Sequence, residues 1–190
     1  MTAGSDGSEA AGPRRFCRFG PSPSPGEGRW GVPEDGLCLS SFLVLSPSDR
    51  PEQVLVGRIN PSAPWNEVGA LDPERVQRNA AGWMLPSCHL LYFESPDGAA
   101  RRVLAEQLGL SGVELDAPAI VSETYPSTRV AERQHWDLEF LYRGQLAPGA
   151  PPQHSAWSRL ELVDPARTPR REFARRHDEV LENAGFKIGP

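Results

Sequence analysis

Cysteine is scarce in this 190-residue sequence: Cys17, Cys38 and Cys88 are the whole set. The number is odd and no two form a CxxC pair, so neither a disulfide framework nor a cysteine-type zinc site is expected. Long apolar runs are lacking too. The most compact, Phe42-Leu43-Val44-Leu45, is far below the ~20 residues that span a bilayer. The opening MTAGSDGSEAAGPRR has no apolar stretch and does not read as a secretory signal. Positive charge is not in surplus: the net charge is −5 and the pI about 5.4, against a nonspecific nucleic-acid or anionic-membrane binder. The expectation is a soluble, reduced, cytoplasmic protein with no nucleic-acid and no membrane partner.

The balance of 38% hydrophobic and 24% charged residues is that of a globular protein. A chain of this length can bury roughly two-thirds of its unfolded surface without a metal or disulfide staple. Pro (20) and Gly (18) are abundant and concentrate at the start. Residues 1–36 contain 8 Gly, 5 Pro and 4 Ser. A segment so composed is expected to be a flexible tail, because it cannot offset its ordering entropy by burial. Arg14-Arg15-Phe16-Cys17-Arg18-Phe19 and Trp30 within it read either as a docking motif or a flap over a pocket, or as a linker whose aromatics rest on the domain. Residues 37–190 form the expected domain. Strands are expected at 37–45, 53–59, 83–85, 119–122, 135–142 and 157–163. Asp72-Pro73 and Ser95-Pro96 each pair an N-cap residue with Pro at the first helical position, and Gly109 closes the second helix. Thr168-Pro169 is expected to open a final helix ending at Gly185. Mixed strands with helices at distant points imply an α/β sandwich.

The helix after Ser95 carries the candidate chemistry. At ~100° per residue, Ala100, Leu104 and Leu108 form a buried stripe, and Val103, Glu106 and Gln107 share the neighbouring face. Glu106 is the one carboxylate of those three. Glu94 stands just ahead of the helix. This stretch resembles the signature of the Nudix hydrolases: Gly, five residues, Glu, seven residues, then Arg-Glu-apolar-x-Glu-Glu-x-Gly-apolar. Laid without gaps over residues 88–110, Glu94, Arg102, Leu104, Glu106, Gly109 and Leu110 match, six of nine specified positions. Trp83-Met84-Leu85-Pro86 resembles the entry into that box, and Glu94-Ser95-Pro96 its turn. The resemblance covers about 150 residues and implies a Nudix-type α/β/α sandwich with a mixed β-sheet.

In that family Mg²⁺ (or Mn²⁺) ions held by helix carboxylates assist cleavage of a nucleotide-type diphosphate, because Mg²⁺ takes hard oxygen ligands and offsets phosphate charge. Here Val103 and Gln107 replace two of those acids, Cys88 and Ser87 replace loop glycines, and Phe93 precedes the turn acid. Losing one charge-stabilising group typically costs ~10²–10³ in rate. Two readings follow. In the first the fold binds a nucleotide-like diphosphate, a protein partner or a second copy, with weak or absent standard hydrolysis. In the second it is a divergent hydrolase with a rearranged metal site, using Mg²⁺ or Mn²⁺. For either, Glu106 and Glu94 are the candidate catalytic residues and Glu106 with Glu139 the candidate metal ligands. Arg58, His135 and Asp137 are the candidate substrate contacts. His135, Asp137 and Glu139 alternate with Trp136, Leu138 and Phe140, so they share one face of their strand. The arginines at 167, 170, 171, 175 and 176 oppose the dipole of the expected final helix. They read as a solvated face or as contacts to an anionic partner.

Overall fold

The computed structural model describes residues 14, 18–19, 36–126 and 134–190. Most of the expected tail, with Phe16 and Trp30, lies outside the described residues. Eleven strand residues, Leu37–Pro47 (β2, after the short β1 at Arg18–Phe19), are apolar on both faces, as a strand covered on both sides must be. β2 runs parallel to Gln134–Leu146 (β6) from Leu37↔Trp136 to Pro47↔Leu146. It also pairs antiparallel with β1 and with Ser87–His89 (β4). Ala119–Pro126 (β5) adds antiparallel to β6 and closes the mixed sheet in the order β1-β2-β6-β5. Val54–Ile59 (β3) and Trp157–Val163 (β7) make a second, two-stranded antiparallel sheet. Gly57 is needed there: a Cβ would stand 2.3 Å from the Trp157 ring.

The alternation of β2 splits the core in two. Leu43 and Leu45 face one cluster with Leu55, Trp65, Val103, Leu104 and Trp157. Phe42 and Val44 face the other, with Val56, Trp83, Leu85, Leu141, Phe173 and Leu181. Each cluster is roofed by one helix, Pro96–Leu108 (α3) on the first and His177–Asn183 (α4) on the second. The result is the layered α/β/α arrangement with a mixed sheet. Two further helices, Trp65–Val68 (α1) and Pro73–Asn79 (α2), link β3 to β4. Both capping expectations are met: Asp72 accepts from the Arg75 amide and Ser95 from the Gly98 amide. Gly109 ends α3 in the left-handed region at φ 63°.

The C-terminal helix is shorter than expected. Before it come two 3₁₀ turns, Pro165–Arg167 and Arg170–Glu172, and left-handed residues Arg175 and Arg176, at φ 54° and 59°. Trp83 explains the break. Its amide donates to the Glu172 carbonyl (2.8 Å) and its carbonyl accepts from the Ala174 amide (2.9 Å), so these backbone groups serve a bridge to Trp83 instead of a helix. Among the described residues no helix is long and apolar enough to cross a membrane.

Candidate functional site

Position 103 overturns one expectation at once. Val103 and Gln107 do not flank the buried stripe of α3; they belong to the interior, with exposures of 1% and 0%. The apolar arc of this helix is wider than the stripe read from the sequence, because α3 is covered by β2 and by the loop that holds α1. Gln107 is fully used. Its Nε2 donates to the carbonyls of Val68 (2.8 Å) and Ser87 (2.7 Å), and its Oε1 accepts from the Ser87 amide (3.2 Å). Its own carbonyl accepts from Trp157 Nε1 (2.9 Å).

Glu106 lies at the edge, half-buried, and is taken by an arginine. Arg14 Nη1 and Nη2 donate to its two carboxylate oxygens at 2.6 and 2.7 Å, and Nη1 also donates to the Glu67 carbonyl. This two-pronged pair is the strongest geometry that guanidinium and carboxylate offer. Glu94 is occupied too. Arg102 Nε and Nη2 donate to its two oxygens, both at 2.8 Å, and the Leu91 amide adds a third bond at 2.8 Å. Burial works to raise the Glu94 carboxyl, but these donors outweigh it and hold it below the usual carboxylate range. Arg102 also reaches the Cys88 sulfur and the His89 carbonyl, so Glu94–Arg102 braces the loop that leads into α3. Burial pushes the Cys88 thiol up to about 12, which makes it an inert packing residue.

The polar face of β6 lines a cavity of about 300 Å³ on the α4 side of the sheet. Asp137 and Glu139 of β6, Glu123 and Tyr125 of β5 and Ser40 of β2 form its floor. Arg75 and Arg78 from α2 and Arg175 and Arg176 before α4 bring four cations to the same space. The left-handed turn at 175–176 delivers the latter two. Arg176 stacks on the Tyr125 ring at 4.5 Å and pairs with Glu179 and Glu123. Glu139 is 4% exposed, and its Oε2 has no hydrogen-bond partner among the described residues. Burial, with Glu123 and Asp137 nearby, pushes its carboxyl up to about 8. At neutral pH it is therefore mostly an uncharged acid, able to donate as well as accept. His177, 1% exposed, is held well below its ordinary pKa by burial, and its Nδ1 accepts from the Leu85 amide at 2.8 Å. A tiny extension of about 10 Å³ runs from Ser40 and His89 to Ser87, Cys88 and Gly69. It holds at most one water, so the cavity does not open widely toward the residues that Gln107 ties together.

His135 and Asp137 come together beside this cavity, with His135 Nε2 3.1 Å from Asp137 Oδ1. Bonds to Asp137 and Cys38 push the His135 imidazole up to about 10. Burial works to raise Asp137, but its bonds from His135 and Tyr125 hold it low. Burial and Asp137 both raise the Tyr125 phenol. Arg58 stands elsewhere: its guanidinium lies 4.4 Å over the Trp83 ring, on the two-stranded sheet, and does not line the cavity. Of the other arginines, Arg170 pairs with Asp178 and Glu182, and Arg167 with Asp164. Arg14 belongs to the stretch read as a docking motif or a flap over a pocket, but its pairing with Glu106 was not legible; Arg75 and Arg78 were missed, and all three roles depend on contacts 40 or more residues away. Cys38, which β2–β6 pairing sets opposite Asp137, was missed too.

No protein-family model matches the sequence, and no curated protein matches it. Solved structures do. The E. coli dihydroneopterin triphosphate pyrophosphohydrolase superposes with a TM-score of 0.54 at 12% identity, over 76% of this chain and 92% of that one. The NUDIX domain of Shewanella oneidensis NrtR, in a complex with ADP ribose, gives 0.51 at 18% identity over 78% and 86%. The MutT NUDIX hydrolase from Burkholderia pseudomallei gives 0.51 at 15% identity over 77% and 96%. At such identities the likeness is one of architecture, and together with the helix roofing each face of the mixed sheet it establishes that this protein has the Nudix fold.

Proposed function

We propose that this protein binds a nucleotide-like diphosphate and has lost the standard Mg²⁺-dependent hydrolysis of its fold relatives, or retains it only weakly. One observation carries the reading: Glu106, the single carboxylate among positions 103, 106 and 107, is clamped by Arg14 while Val103 and Gln107 are packed inside. Mg²⁺ needs a near-octahedral shell of hard oxygens. This face offers one carboxylate that already has a cation, and Glu94 is held by Arg102, so these residues do not fit the metal.

Ligand binding rests on the cavity. Arg75, Arg78, Arg175 and Arg176 supply the charge that a diphosphate requires. Glu139, neutral at pH 7, adds a donor without adding repulsion. Asp137 and Glu123 can accept from ribose hydroxyls or base amino groups. A relative of the same fold was solved with ADP ribose, which makes that compound the first probe.

The test pairs two assays on the full chain. Calorimetric titration with ADP ribose and nucleoside diphosphates should show saturable binding that weakens at least tenfold in Arg75→Ala or Arg176→Ala. Incubation with Mg²⁺ or Mn²⁺ should release no phosphate or nucleoside monophosphate above background. Rapid turnover abolished by Glu106→Gln would overturn the reading in favour of a divergent hydrolase. A cavity to which none of these compounds binds would overturn the ligand assignment.

A further inference from the structure

Cys38, His135 and Asp137 bring three different metal-ligating groups to one point. One ligand atom from each lies within 4.8 Å of the other two. The backbone places them there. Cys38 and Asp137 are direct partners in the parallel β2–β6 ladder, and His135, two residues before Asp137, shares its face. Cys38 is 2% and His135 3% exposed, and the Asp137 side chain 13%. Tyr125, paired with His135 across β5–β6, donates its hydroxyl to Asp137 Oδ2. That bond fixes the carboxylate and leaves Oδ1 turned toward His135 Nε2, 3.1 Å away.

We propose that these residues form a transition-metal site of the zinc class, with Cys38 Sγ, a His135 ring nitrogen and Asp137 Oδ1 as ligands. Zinc bonds of ~2.0–2.3 Å put tetrahedral ligands roughly 3.3–3.7 Å apart, so the three atoms need contract by about 1.5 Å at most. Thiolate, imidazole and carboxylate together select Zn²⁺, Co²⁺ or Fe²⁺ over Mg²⁺, whose hard shell excludes sulfur. On binding, the Cys38 thiol gives up its proton to solvent, and the metal takes the place of the hydrogen bond between His135 and Asp137. Tyr125 acts as the positioning residue that holds a ligating carboxylate from outside the coordination shell. Asp137 also lines the 300 Å³ cavity, which Cys38 and His135 do not. Three protein ligands leave a tetrahedral zinc one further position. The site involves none of Glu94, Glu106 or Glu139.

The test uses the full chain stripped with a chelator and titrated with Co²⁺. A sulfur-to-cobalt charge-transfer band in the near ultraviolet should grow and saturate at one metal per chain. Zn²⁺ should bleach it and raise the melting temperature. The Cys17→Ser/Cys88→Ser variant, in which Cys38 is the remaining thiol, should keep the band, so the sulfur is assigned even if Cys38→Ser fails to fold. Tyr125→Phe should weaken Co²⁺ binding roughly 10–100-fold. Absence of the band in the wild type, or its loss in the Cys17→Ser/Cys88→Ser variant, would overturn the proposal. Failure of ADP ribose to bind would leave the cobalt spectrum unaffected, so this result separates cleanly from the ligand reading.

Discussion

Replacing Glu139 by glutamine asks whether a buried carboxyl in the cavity is neutral. Folded, Glu139 has a pKa of about 8, raised first by burial and then by Glu123 and Asp137. Unfolded, it returns to the ordinary 4.5. Below that value both states hold the proton and the group has no effect. Between 4.5 and about 8 the folded state holds it and the unfolded state does not. Stability therefore falls as pH rises through that window. At ~1.4 kcal/mol per pH unit, the full loss from this residue is on the order of 3–5 kcal/mol. Glutamine mimics the protonated acid and does not titrate. The variant should match the wild type at pH 5, within a constant offset, and exceed it by about 3 kcal/mol at pH 8. For a chain of this size that is a melting-temperature gap of roughly 6–12 °C. His135 and Asp137 titrate in both proteins and so largely cancel in the difference. Melting both at pH 5 and pH 8 decides the matter. A gap that stays constant, or that narrows at pH 8, would show that Glu139 is ionised and satisfied in the fold, and the argument for a neutral donor in the cavity would fail.

Three other expectations concern α3. Arg14→Ala should cost no more than about 1 kcal/mol in a chemical denaturation series, because the ion pair is half-exposed. Mg²⁺ binding to the wild type, followed by calorimetry, should be millimolar or weaker, about −4 kcal/mol or less favourable; micromolar affinity lost on Glu106→Gln would contradict this. Val103→Glu with Gln107→Glu should not rebuild a metal face. It buries two charges and removes the two hydrogen bonds that Gln107 Nε2 donates, leaving carbonyls facing a carboxylate, so a loss above about 4 kcal/mol is expected, and a folded double mutant stabilised by Mg²⁺ would refute it.

Local signals in the sequence were read faithfully by the fold. The Ser95-Pro96 cap and the Gly109 stop depend on neighbours a few residues away, and both are where they were expected. The strand at 135–142 is there too, but its apolar face is not the core: His135 and Glu139 are buried while Trp136 and Leu138 are half-exposed, because the other side of the sheet is covered by distant segments. The residues that resemble the Nudix box likewise lie on a loop and helix of that fold. What was not legible depends on distant contacts. The break before α4 comes from Trp83, about 90 residues upstream. The burial of Val103 and Gln107 comes from a loop whose course composition does not reveal. Arg14 meets Glu106 across 92 residues. Cys38 looked solitary because its neighbours are supplied by strand register, not by a spaced motif.

Gln107 joins stretches of chain that are otherwise remote: the end of α1 through Val68, β4 through Ser87, and β7 through Trp157. In an enzyme, groups poised for chemistry are often kept at some expense to stability. Here the position contributes cohesion instead, and the Ser87 amide becomes a reporter of it. Its hydrogen is sealed in the interior and should exchange with deuterium only when the whole domain opens. An amide that exchanged through small local fluctuations would mean that the cross-link is slack, and that the rigidity of this region has another source.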